Sequence, residues 1–138
     1  MNLVYVLGIA QDGGYPQVGC IQECCKKAWE DEDIKCYPSS IALIDTKKKL
    51  YWLFDITPDI KYQIRMLDQF DSILAGVFIT HAHIGHYMGL INLGLEVMNL
   101  KNIPIYLMPR MMKFIKDNPM LNQLISSGNI RLVSINSD

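Results

Sequence analysis

All three histidines of this 138-residue chain lie within six residues of one another, at His81, His83 and His86, directly behind the apolar, β-favouring run from Ala75 to Thr80. That ordering constrains the fold. A buried strand must end at the surface and release its histidines there, and the next stretch, Tyr87 to Met98, has apolar residues at Leu90, Leu93, Leu95 and Val97 that read as a helix. A ligand-rich turn between a strand and a helix is where α/β proteins commonly place their chemistry. In extended backbone, residues two apart point the same way, so His81 and His83 can converge on one ion while Ala82 and Ile84 point away. His86 can bring a third imidazole to the same cleft. Neutral imidazole is a favoured zinc ligand, and catalytic sites typically hold the metal with about three protein ligands.

The rest of the chain reads as alternating elements around that turn. Leu3 to Leu7 is a first strand, followed by a loop through Gln11-Asp12-Gly13-Gly14-Tyr15-Pro16, whose glycines and proline break regular structure. Glu23 to Trp29 reads as a short helix, with the acidic run Glu30 to Asp33 in solvent. Ser40 to Asp45 and Leu50 to Phe54 form a β-hairpin across the polar turn Thr46-Lys47-Lys48-Lys49. Thr57-Pro58-Asp59 is a helix start, with a capping hydroxyl and a proline at the first turn, and Ile60, Ile64 and Leu67 carry the helix to about Phe70. Beyond the histidines, Ile103 to Met108 reads as a strand, Arg110 to Lys116 and Met120 to Ser126 as helices, and Ile130 to Ile135 as a last strand. A hairpin followed by alternating strands and helices is an α/β layered architecture.

Composition narrows the function classes. A formal net charge of −1 with no long run of one sign gives no footprint for nucleic acid or an anionic membrane. No stretch approaches the ~18 apolar residues of a membrane span, and the N-terminus lacks a basic region followed by a cleavage site. A soluble cytoplasmic protein with a small-molecule substrate is expected.

Thr80-His81-Ala82-His83-Ile84-Gly85-His86-Tyr87-Met88-Gly89-Leu90 resembles the His-x-His-x-Asp-His motif of the metallo-β-lactamase superfamily. Leu53-Phe54-Asp55-Ile56-Thr57-Pro58-Asp59-Ile60 and the opening Leu7-Gly8-Ile9-Ala10-Gln11-Asp12-Gly13-Gly14-Tyr15-Pro16-Gln17 are similar to segments of its pyrroloquinoline quinone biosynthesis branch. The resemblance implies the N-terminal half of a four-layer αβ/βα sandwich, a mixed sheet with helices, residues 1–138 forming a single domain incomplete at its C-terminus. It further implies one or two zinc ions, with iron or manganese as alternatives, and a metal-bound hydroxide attacking an ester, lactam or phosphodiester-like bond. By position, His81 and His83 would ligate a first metal and His86 a second. Asp55, the residue proposed for a catalytic role, would orient an imidazole or shape the site, its alternative being a plain strand-ending carboxylate.

Two departures bear on that expectation. Gly85 stands where the motif has aspartate, so the site has one tightly held metal, or a replacement ligand from elsewhere, or is degenerate. Restoring aspartate at Gly85 in a complete chain separates an enzyme, which gains metal on top of an activity already present, from a silent domain, which turns over no hydrolase substrate. The later ligands of the superfamily, a further histidine and an aspartate, have no histidine to match them after His86. A half-sandwich would expose a large apolar face, which favours a homo-oligomer or pairing with the missing half. The remaining candidate is the cysteine loop, where Cys20, Cys24 and Cys25, with Cys36 nearby, read either as a structural zinc site or as reduced thiols. Three functions therefore stand: a metallo-hydrolase, a catalytically silent domain of the same fold in cofactor biosynthesis or binding, and a zinc-thiolate module.

Overall fold

The computed structural model describes residues 1–135. Its centre is one six-stranded sheet in the sequential order β1 (Asn2–Gly8), β2 (Ser40–Asp45), β3 (Leu50–Phe54), β4 (Ile73–Ile79), β5 (Ile103–Leu107) and β6 (Ile130–Ser134). The first three strands run antiparallel, and β3 to β6 run parallel. Parallel neighbours need crossover connections, and the helices supply them. α2 (Ile60–Arg65) links β3 to β4, α3 (Ile84–Tyr87) follows β4, and α4 (Pro109–Asp117) with α5 (Pro119–Ser126) links β5 to β6. The helix α1 (Glu23–Glu30) lies in the long connection between β1 and β2. No helix is long and apolar enough to cross a membrane among the described residues.

The core occupies one face of the sheet. Ala42, Ile44, Leu53, Val77, Ile105 and Leu107 point into it from the strands and meet Ile60, Leu90, Leu93, Ile115 and Leu121 from the crossovers, all with 0–1% of their surface exposed. Strand side chains alternate, so the opposite face is set by the same register. It carries Val4 and Val6 on β1, Ile41 and Leu43 on β2, Trp52 and Phe54 on β3, Phe78 on β4 and Tyr106 on β5. There Phe54, Phe78 and Tyr106 form a stacked ladder across three strands, with ring centroids 4.7 and 4.5 Å apart. These residues are half-buried, and Val4 and Val6 are exposed.

Two expected elements differ from the structure. The helix expected from Tyr87 to Met98 is instead the four-residue α3 followed by a 3₁₀ turn over Met88–Leu93, which closes at Gly94. Leu90 and Leu93, three apart, both reach the core, as 3₁₀ geometry requires, whereas Leu95 and Val97 lie exposed beyond its end. The helix expected from Thr57 to about Phe70 covers only Ile60–Arg65, with a separate 3₁₀ turn at Asp68–Phe70. Thr57 still accepts a bond from the Asp59 N–H at 3.1 Å, but its hydroxyl donates inward to Gln63 Oε1 at 2.7 Å. Gln63 in turn donates to the Pro38 carbonyl at 2.8 Å, so a buried polar chain ties α2 to the strand that opens with Ser40.

Candidate metal site at the ends of β3 and β4

The parallel pair β3 and β4 ends with Asp55 and Thr80 side by side, and the chemistry gathers there. Asp55 is 6% exposed and has φ of +65°, a left-handed conformation that aspartate tolerates better than most residues. This turn is pinned on both sides. The Asp55 N–H donates to the Phe78 carbonyl at 2.7 Å, and the Asp55 carbonyl accepts from Ser40 Oγ at 3.0 Å. Its carboxylate accepts from the Thr80 N–H at 2.8 Å and from Thr80 Oγ1 at 2.8 and 3.0 Å. Oδ2 also lies 2.7 Å from His86 Nδ1. A carboxylate only accepts, so the proton of a neutral His86 sits on Nδ1 and Nε2 carries a lone pair.

His86 projects from α3, while His83 precedes it in extended backbone, and His81 and His83 are exposed. His81 lies between the other two rings, 4.0 Å from His86 in a tilted arrangement and 4.5 Å from His83 edge-on, centroid to centroid. His81 Nδ1 faces Thr80 Oγ1 at 2.8 Å and its Nε2 faces His83 Nδ1 at 3.0 Å. Two imidazole nitrogens so close either share a proton or face a common cation. Ligands about 2.1 Å from one tetrahedral ion stand about 3.4 Å apart, so the two rings would need to separate by a few tenths of an ångström to share a divalent metal. Thr80 was not among the residues singled out by sequence, yet it links Asp55 to His81.

Asp12 is the second residue that sequence reasoning passed over. It reaches the site from the loop after β1 and places Oδ1 3.4 Å from His86 Nε2. Gly85 permits this approach. A Cβ at Gly85 would stand 2.7 Å from both Cα and Oδ1 of Asp12. An aspartate at Gly85 would need the loop that carries Asp12 to move, because that loop's backbone already fills the space. Asp12, His83 and His86 line a cleft of about 640 Å³ together with Gln11, Gln17 and Ser39. In the neighbouring pocket, where Asp59 lines the wall beside Gly13–Pro16, burial raises its carboxyl pKa.

The cysteine loop forms a separate cluster. Cys20, Cys24 and Cys25 bring their sulfur atoms within 4.8 Å of one another, and among the described residues three ligating atoms gather that closely only here. The Gln17 N–H donates to Cys25 Sγ at 3.4 Å. Soft sulfur donors at this spacing suit zinc. Cys36 stands apart, its backbone paired with Tyr15.

The mixed six-stranded sheet with its helices is the metallo-β-lactamase fold, and the chain covers about half the length of the solved structures of that fold that it matches. The sequence is similar to coenzyme PQQ synthesis protein B of Rhodopseudomonas palustris. The strain BisB5 protein is 28% identical over 142 residues, covering 97% of this chain and 43% of the relative, and the strain TIE-1 protein is 30% identical over 101 residues, covering 67% and 32%. Among solved structures, Zn(2+)-bound PqqB from Methylobacterium extorquens matches with a TM-score of 0.80 at 24% identity, covering 98% of this chain and 46% of the other. A diphosphatase from the PhnP family matches with a TM-score of 0.73 at 20% identity, covering 100% and 53%, and the short form of human tRNase Z with 0.53 at 21%, covering 97% and 44%. No protein-family model matches the chain. The chain spans less than half the length of the curated relatives it matches.

Proposed function

We propose that this chain supplies the N-terminal half of a metal-dependent hydrolase site, in which His81, His83 and His86 hold one or two divalent ions, zinc first and iron or manganese as alternatives. The observation that carries this reading is the Asp55–His86 contact at 2.7 Å, which leaves His86 Nε2 facing the cleft shared with His83. A bound divalent ion would polarise an ester, lactam or phosphodiester-like bond and lower the pKa of a water. The chain's own residues do the positioning. Asp55 fixes the tautomer of His86, Thr80 orients His81, and Gln11, Gln17 and Ser39 offer polar contacts to a small-molecule substrate. Two structural neighbours carry names for phosphate-bond chemistry, a diphosphatase and a tRNase, which supports phosphodiesters as the first substrates to try.

Purified protein is expected to retain metal after dialysis, and His81→Ala/His83→Ala to lose the fraction that a cysteine triple variant keeps. Elemental analysis of the two variants reads this directly. Metal content unchanged by the histidine pair would overturn the reading, and metal lost only with Cys20, Cys24 and Cys25 would leave a zinc-thiolate module in its place. The sequence relatives favour a second reading, a domain of the same fold serving coenzyme biosynthesis without hydrolysis. It predicts bound metal and no turnover of activated phosphodiesters, esters or lactams.

The apolar face bearing Phe54, Phe78 and Tyr106 is proposed to receive the second half of the sandwich, because the chain covers about half of each longer neighbour. The 138-residue chain expressed alone should self-associate through it. Sedimentation should show Phe78→Lys shifting the chain toward monomer, and a parent chain that is already monomeric would refute the assignment.

A further inference from the structure

We infer that Asp12 is a metal ligand of the histidine site, paired with His86 Nε2 in the space that Gly85 leaves open; the inference rests on the reading that the histidines hold a divalent ion. Three observations converge on it. Asp12 Oδ1 and His86 Nε2 face each other at 3.4 Å, beyond an ordinary N–H···O bond. With Asp55 fixing the proton of neutral His86 on Nδ1, both atoms are electron-pair donors, and two such donors repel unless a cation lies between them. Their separation matches the roughly 3.4 Å expected between an oxygen and a nitrogen ligand on one tetrahedral zinc.

The loop is built to hold Asp12 there. The Gly14 N–H donates to the Gln11 carbonyl at 2.8 Å, closing a turn around it. The Ala10 N–H donates to the Tyr37 carbonyl and the Ser39 N–H to the Ala10 carbonyl, each at 3.0 Å, which ties the loop to the entry of β2. Gly85 is the reciprocal feature on α3. Any side chain there would strike the Cα of Asp12, so the carboxylate and the glycine are two halves of one arrangement. A carboxylate delivered by the loop after β1 thus stands beside the position where the histidine motif lacks one.

Cobalt(II) tests this, because its thiolate charge-transfer absorption reports the cysteine cluster separately from a nitrogen–oxygen site. Asp12→Asn keeps shape and removes charge, and should weaken cobalt at the histidine site by about 10-fold or more in a chelator competition, with the thiolate signal unchanged. Gly85→Ala, which displaces the loop, should lower the same affinity. Parent protein with no cobalt outside the thiolate signal would overturn the histidine site itself. A parent that binds cobalt there, with Asp12→Asn binding it equally well, would overturn the role of Asp12 alone. Melting of the metal-free proteins covers the remaining case. If Asp12 merely pairs with a protonated His86, Asp12→Asn lowers the melting temperature and leaves cobalt affinity intact, which also refutes the proposal.

Discussion

Asp55→Ala is expected to cost about 2–4 kcal/mol of stability, because removing the shared acceptor leaves its hydrogen-bond donors unpaired at about 1–3 kcal/mol each. The side chain is 6% exposed, and its carboxylate receives the Thr80 N–H, the Thr80 hydroxyl and His86 Nδ1, all at 2.7–3.0 Å. Alanine leaves these donors unsatisfied next to the core. It must also adopt φ of +65°, where a Cβ without a local hydrogen bond costs about a further 1 kcal/mol. Asp55→Asn separates stability from metal binding. Asparagine tolerates the left-handed turn and can still accept from Thr80. Its NH₂ group, however, then faces His86 Nδ1, so that nitrogen must accept and the ring proton moves to Nε2. The nitrogen facing the cleft loses its lone pair. Denaturant unfolding should therefore show Asp55→Asn close to the parent, while metal affinity falls by about 10–100-fold. An asparagine variant that binds metal as the parent does would remove Asp55 from the site and leave it a strand-ending carboxylate.

Why some of this was legible in the sequence and some was not follows from the range of the interactions. The hairpin Ser40–Asp45 and Leu50–Phe54 was readable to the residue, because strand alternation and a lysine-rich turn are local signals. The histidine turn was readable for the same reason, since three ligand-type residues sit within one short segment. The 3₁₀ turn at Met88–Leu93 was not. Its leucine spacing satisfies a helix equally well, and the deciding contact is with Ile56 and Thr57, more than thirty residues away. Asp12 is the extreme case. Gly85 announced a missing carboxylate, with a replacement from elsewhere as one of the alternatives, but only the packing of the first loop on α3 identifies which residue comes near. The helix-covered and apolar faces of the sheet followed from strand periodicity once the register was known.

Gly89→Ala should be strongly disruptive for a single added methyl. A Cβ at Gly89 would stand 2.2 Å from the Thr57 carbonyl oxygen and 2.8 Å from both the Ile56 carbonyl oxygen and Ile56 Cγ1. Two of these three are backbone atoms, so no side-chain rotation relieves them. The backbone is held in place as well, since the Gly89 N–H donates to the Ile56 carbonyl at 3.0 Å and the Ile56 N–H to the His86 carbonyl at 2.9 Å. Ile56 and Thr57 have no exposed surface, and Thr57 is bonded to Gln63, so the segment cannot retreat without breaking the buried polar chain beneath it. Overpacking a closed core by one methyl costs about 1–3 kcal/mol, and the backbone origin of this clash places it at about 3 kcal/mol or above. Gly13→Ala provides the contrast. Its Cβ would meet the Gln17 side chain, with Cγ at 2.8 Å, and that chain can swing away. Denaturant unfolding should thus separate the two alanines by more than about 2 kcal/mol. The same displacement acts on the site, because the segment that Gly89 presses against begins at Asp55 and bonds to His86. Gly89→Ala should accordingly lose metal at the histidines while keeping it at the cysteines, and equal stability of the two variants would show that the 3₁₀ turn does not lock the site in place.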